Sequence, residues 1–259
     1  MSMTFEQLEI SKQGLILSSE LRDFLVLLLK MTVGLALFTL IYLVLVDHYN
    51  VYLLSLSNPN RSLIQLFCYI ILPILYYRFF IDQNSFKTTF KKIFSTERGS
   101  SKKNQIWGFI DGNIVYILIV FPLFANGRLI NKYLFNWFEF SQNEHVMLYL
   151  FYVLISISSI ELITKGFIIC TILRFEELFP ERKKVYSLIA FFFSLFAWTV
   201  GHIVEYEWLI FFVPSDYAIF ILLVAGLVSI LAVLRNRNIY GVISGHFLIN
   251  VLLTLYVNV

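Results

Sequence analysis

The chain has 259 residues, 59% of them hydrophobic, with 27 Phe, 15 Tyr and a formal net charge of +3. Soluble domains are nearer about 45–50% apolar, so the composition excludes an ordinary soluble globule. The small net charge gives no warrant for a nucleic-acid partner, and its use lies in where Lys and Arg fall between apolar runs.

At about 20 mainly apolar residues per crossing, the sequence predicts seven spans, over 24–46, 62–81, 107–125, 146–173, 186–204, 217–234 and 239–258. The expected fold class is all-α, a polytopic transmembrane helix bundle embedded in the lipid bilayer. Residues 1–23 are polar and read as a cytoplasmic segment. The run after them is of full span length without a small-residue cleavage pattern, so it is expected to stay as an anchor. Residues 24–145 carry the first three spans and a basic loop, 82–106, in which Lys87, Lys91, Lys92, Arg98, Lys102 and Lys103 face only Asp82 and Glu97.

The positive-inside rule puts that loop in the cytoplasm, together with "ERKK" (181–184) and "RNRN" (235–238). The N-terminus is then cytoplasmic and the C-terminus outside, in a multi-pass cell-membrane protein. The basic loop sets topology, with anionic headgroups as its alternative ligand. The stretch 126–145 mixes aromatic and polar residues and is expected in the outer interface, and short outer loops are expected at 47–61 and 205–216. No internal repeat emerges, which argues against a transporter built from two related halves. Cys68 and Cys170 lie in apolar runs and read as small hydrophobic side chains.

Residues 146–259 hold the polar groups that lipid cannot satisfy. Lys30, Arg78 and Asp111 lie near span ends, where snorkelling or the interface accounts for them. Glu161 is mid-span, with Lys165 four residues on in the favourable orientation for an ion pair and Gly166 beside it. Trp198 precedes His202 by four, and His246 precedes Asn250 by four, so each pair shares a helix face. A structural ion pair and satisfied core histidines are the plainer readings.

Three helices delivering an acid, a histidine, and a histidine with an asparagine fit hydrolysis of an amide or ester near the membrane. A carboxylate beside a neutral imidazole can take a proton from water and return it to a leaving amine. The His246–Asn250 pair would supply oxyanion donors. Glu and His are also zinc ligand types, but no HExxH helix is present, so zinc is the less favoured reading and the cofactor stays open. "FEELFPER" (175–182) offers Glu176 and Glu177, which read as a solvated helix end.

The segments "IELITKG" (160–166), "WTVGH" (198–202) and "HFLIN" (246–250) resemble, in order and spacing, the motifs of the CPBP family of intramembrane endopeptidases, the CAAX proteases and bacteriocin-processing or immunity proteins. The resemblance covers about 150–255 and implies a CPBP-like catalytic core in the C-terminal half, with Glu161, His202, His246 and Asn250 as site residues and Lys165 and Trp198 in support. It implies a peptidase acting on a hydrophobic or membrane-associated peptide, such as a bacteriocin or signal-peptide precursor. Glu161 and His202 would activate water, His246 and Asn250 would hold the oxyanion, and Lys165 would orient Glu161.

Three positions depart from the pattern. Ile160 stands where the family has its water-activating glutamate, Lys165 replaces Arg and Trp198 replaces Phe. Glu161 lies about 100° around the helix from position 160, so it faces the site only if that helix is rotated. The span limits also set His202 and His246 about 15 Å apart in depth. The competing reading is an inactive pseudoprotease, a membrane scaffold or immunity protein with a membrane-protein partner. A transporter or channel rests on the intramembrane charges alone.

Overall fold

The computed structural model describes residues 5–48, 59–82, 85–124, 146–209 and 215–257, and is nearly all helical over them. Helix α1 (Phe5–His48) is followed by α2 (Pro59–Leu66) and α3 (Leu72–Tyr76), which are joined and extended by wider π-helical turns at Phe67–Ile71 and Tyr77–Ile81. Next come α4 (Phe86–Phe94), α5 (Lys102–Phe124) and α6 (Val146–Glu161). A π-helical stretch, Leu162–Cys170, runs from α6 into α7 (Thr171–Leu178). The chain closes with α8 (Lys183–Leu209), α9 (Ser215–Asn236) and α10 (Tyr240–Val257).

Among the described residues four stretches are long and apolar enough to cross a membrane: Ser19–His48, Asn60–Ile81, Leu150–Leu178 and Pro180–His202. Four of the predicted spans, 24–46, 62–81, 146–173 and 186–204, overlap them. Leu222–Asn236 and Tyr240–Val251 are apolar but shorter. The stretch 126–145 and residues 49–58 and 210–214 of the predicted outer loops lie outside the described residues, while α8 continues to Leu209.

The pattern of burial is that of helices apolar on every side. Along α1, Phe24, Met31 and Phe38, spaced by seven, form the buried stripe, while Leu25, Leu29, Val33, Leu37 and Leu40 are exposed. A helix with this distribution has no polar face to give to water, which suits a lipid surround. By contrast, every residue from Thr164 to Leu173 is buried. The π-helical stretch is therefore the centre of the bundle, flanked by α4, α7, α8 and α9.

Within the basic segment 82–106, Phe86–Phe94, Arg98–Ser100 and the residues from Lys102 on are helical rather than a plain loop. Ser85 caps α4, its hydroxyl accepting from the Thr88 amide at 3.3 Å. Thr89 and Ile93, four apart, face inward, whereas Lys87, Phe90 and Lys91 face outward. At the foot of α4 the chain joins the α9–α10 turn: Thr96 N–H donates to the Arg237 carbonyl at 2.9 Å and Ile239 N–H to the Phe94 carbonyl at 3.1 Å. Two of the basic segments, 82–106 and 235–238, thus meet at one end of the bundle.

Glu176 corrects the expectation of a solvated acid pair. Glu177 is exposed, but Glu176 is buried and takes a bidentate Arg237 guanidinium at 2.8 and 3.0 Å, with the Ser187 hydroxyl donating at 2.8 Å. Residue spacing within "FEELFPER" could not reveal this, because the partner lies 61 residues away. Breaking a buried pair from one side leaves an uncompensated charge. Glu176→Gln should lower stability by about 3 kcal/mol in detergent unfolding, with no measurable change for Glu177→Gln.

One further contact sets the site. Helices α5 and α10 carry Gly108 and Gly112, and Gly241 and Gly245, each pair spaced by four. A Cβ added at Gly241 would lie 1.7 Å from the Gly108 carbonyl oxygen, and one at Gly112 would lie 2.2 Å from the Gly241 carbonyl carbon. The backbones touch, as small-xxx-small seams allow. Asp111, on the same stretch of α5, accepts from Asn236 Nδ2 at 2.7 Å and lies 3.6 Å from Arg235 Nε, so the expected interfacial acid also ties α5 to α9.

Candidate functional site

Glu161 ends α6 with its side chain fully buried, while Ile160 is only partly buried and packs on the apolar core. The acid that faces inward is therefore the one at 161, the orientation that required a rotated helix. Its Oε2 sits 2.6 Å from Lys165 Nζ, also fully buried. Its Oε1 accepts from the Tyr116 hydroxyl at 3.0 Å and lies 2.7 Å from His246 Nδ1. The widened turn begins at Leu162, directly after the acid, and π turns of this kind recur at functional sites.

The Lys165 ammonium is held between this carboxylate and the face of Trp198, 3.6 Å from the ring centroid. Such a desolvated cation–π contact contributes about 2 kcal/mol. Trp198 in turn wedges between α8 and α9. Its indole N–H donates to the Leu222 carbonyl at 3.1 Å, and a Cβ at Gly226 would strike the ring at 2.4 Å. The indole also stacks on His202, with centroids 3.7 Å apart.

The two histidines meet. Their ring centroids are 6.2 Å apart and their planes differ by 28°. The expected depth difference of about 15 Å is absent, and burial explains why. Asn236, Arg237, Asn238 and Ile239 are all buried, so the turn into α10 is sunk within the bundle and the last helix starts deeper than its hydropathy limits implied. The first residues of α8, Lys183 to Val185, project outside it.

Backbone partners fix the ring nitrogens. His202 Nδ1 lies 2.8 Å from the Trp198 carbonyl oxygen, which can only accept, so Nδ1 carries the proton and Nε2 is the basic nitrogen. His246 Nδ1 faces a carboxylate oxygen, which orients the ring and leaves Nε2 as its basic nitrogen in the neutral form. Tyr116 stacks on His246 almost parallel, at 5.2 Å and 10°. Asn250 Nδ2 donates to the His246 carbonyl at 3.0 Å, so the carboxamide bonds within its own helix.

All six residues singled out in the sequence are buried: Glu161, Lys165, Trp198, His202, His246 and Asn250. The structure brings Glu161, Lys165, Trp198, His202 and His246 together, but with a different pairing, because the carboxylate binds His246 where His202 had been expected beside it; Asn250 lies one turn along α10 from His246. Sequence reasoning missed Tyr116, which reaches the acid from α5. The two glycine pairs that press α5 on α10 were the signal that could have found it. Among the described residues no three His, Cys, Asp or Glu side chains form a metal-binding group; Glu161 Oε1 accepts from Tyr116 and faces His246 Nδ1, while Oε2 is ion-paired with the Lys165 ammonium. Cys68 and Cys170 are free and buried.

Comparison of the chain with family models, with curated proteins and with solved structures gave no match.

Proposed function

We propose that the protein is an intramembrane peptidase of the CPBP type, hydrolysing an amide bond in a hydrophobic or membrane-associated peptide such as a bacteriocin or signal-peptide precursor. The observation that carries the reading is the 2.7 Å contact between Glu161 and His246, on helices 85 residues apart in sequence, with His202 beside them. A carboxylate on Nδ1 of a buried imidazole holds the ring in the tautomer whose Nε2 can act as a base.

In this reading Glu161 orients His246 and Lys165 fixes Glu161. His246 takes the proton from water as the oxygen attacks the carbonyl carbon, and returns it to the leaving nitrogen as the amide bond breaks. His202, its ring centroid 6.2 Å from that of His246, would hold the nucleophile from the other side. Asn250, one turn along α10 from His246, would supply a donor to the developing oxyanion. The finer architecture belongs to the same proposal: α5, α9 and α10 complete seven spans, residues 146–259 form the catalytic core, the N-terminus is cytoplasmic and the C-terminus outside.

Purified protein in lipid, offered hydrophobic precursor peptides with and without a chelator, provides the test. His246→Ala and His202→Ala should each reduce cleavage by about 10³-fold or more, with membrane levels unchanged. Retained turnover in either variant overturns the assignment.

One observation favours a second reading, a pseudoprotease scaffold. Ile160 packs against the core where the family pattern has its water-activating acid, and Glu161 is held on both oxygens by Lys165, His246 and Tyr116. Activity that appears only in Ile160→Glu supports the scaffold. Cleavage by the unaltered chain excludes it.

A further inference from the structure

We propose that α4 is an anionic-lipid-binding helix, lying along the membrane surface and recognising the negatively charged headgroups of phospholipids. The argument starts from its position. One long apolar stretch ends at Ile81, another ends at Leu178 and a third begins at Pro180; Arg174, four residues before Leu178, donates to the hydroxyl of Tyr77, four residues before Ile81, at 3.1 Å, so these ends lie close to one level across the bundle. Helix α4 starts five residues after Ile81 and is bonded at its foot to Arg237 and Ile239, the turn that Glu176 also holds. Arg174 also donates to the Ser95 carbonyl at 3.2 Å, which ties the end of α4 to the last turn of the apolar stretch that ends at Leu178 and so to the headgroup level.

Its composition suits that level on both sides. Ile93 and Thr89 are buried against the bundle. On the outer side Phe90 is 42% exposed between Lys87 and Lys91, both exposed and four residues apart. An aromatic ring flanked by two ammonium groups on flexible stems is the pattern of an interfacial helix: the ring enters the acyl boundary and the lysines reach the phosphates. Lys92 is instead committed to Asp82. The surroundings extend the charge. Arg98, Lys102, Lys103, Lys183, Lys184 and Arg235 are exposed at the same end, against exposed Glu97, Glu177 and Glu181.

The contact beneath sets α4 directly against the buried cluster. A Cβ at Gly166 would lie 2.7 Å from the Ile93 carbonyl oxygen, so the backbone of α4 rests on the residue next to Lys165. Nothing but the absent side chain of Gly166 separates the surface helix from the π-helical stretch that carries the Glu161 ion pair.

The experiment uses the full chain in vesicles of phosphatidylcholine with one fifth phosphatidylglycerol, and reads energy transfer from the protein's tryptophans to dansyl-labelled lipid. Labelled phosphatidylglycerol should be enriched at the protein over labelled phosphatidylcholine, and the enrichment should fall as salt rises. Each surface lysine contributes about fivefold to such attraction. Lys87→Gln with Lys91→Gln should therefore remove most of it, and Lys87→Arg with Lys91→Arg should keep it, which separates charge from folding. Phe90→Ser should weaken it with the lysines intact. Equal enrichment of both lipids, no effect of the Gln pair, or full displacement by millimolar inorganic phosphate, the mark of a soluble-anion site, would each overturn the proposal.

Discussion

Glu161→Ala should destabilise the protein by about 3–5 kcal/mol, read as a lowered unfolding midpoint in detergent or lipid. The carboxylate and the Lys165 ammonium are both fully buried and 2.6 Å apart. Removing the acid leaves a cation that no water reaches, with only the Trp198 face opposite it. Truncating one partner of a buried pair is costly for this reason, whereas replacing both by apolar groups is often close to neutral. Lys165→Met added to Glu161→Ala should therefore recover part of the loss. Full recovery is not expected, since the Tyr116 hydroxyl and His246 Nδ1 also lose their acceptor. Glu161→Gln keeps the shape and one acceptor oxygen, so it should be milder in stability while still uncoupling the imidazole from a charge. A midpoint that did not move in Glu161→Ala would mean that water enters the pair.

Gly241→Ala should be nearly as damaging, at more than about 3 kcal/mol, although it adds a single methyl group. Overfilling a packed interior ordinarily costs about 1–3 kcal/mol because side chains can shift. Here the methyl would meet the Gly108 carbonyl oxygen at 1.7 Å and the Phe109 Cα at 2.7 Å, so two helix backbones must part. Their separation withdraws Tyr116 from both Glu161 and the His246 ring. Gly34→Ala provides the comparison: its Cβ would meet the edge of the Tyr76 ring at 2.8 Å, a group that can rotate. That variant should lose about 1 kcal/mol or less. Equal midpoints for the two substitutions would show that α5 and α10 are not held in backbone contact.

Much of this arrangement was legible in the chain because it follows from local rules. Apolar runs of span length marked four long helices, and spacing by four marked the faces shared by Glu161 and Lys165, by Trp198 and His202, and by His246 and Asn250. What escaped were consequences of partners far apart in sequence. Glu176 sits in an unremarkable polar stretch and becomes a buried ligand of Arg237 only once α7 meets the turn before α10. The depth of His246 depended on how far that turn sinks, which hydropathy limits do not encode. The inward direction of Glu161 could not be read from a uniform 100° per residue, because the helix widens immediately beyond it. Tyr116 was hidden for another reason: an apolar run with one tyrosine carries no local sign that its hydroxyl ends on an acid.

Arg237 is the one non-glycine residue with positive φ among the described residues, at 61°. For an L-residue with a Cβ that conformation costs roughly 1–2 kcal/mol, and glycine or asparagine would adopt it more easily. The chain instead keeps a long cation there, so at this position charge recognition has outweighed backbone comfort. A designer who relaxed the turn with glycine would gain conformational ease and orphan an interior acid, trading a small strain for a larger electrostatic fault.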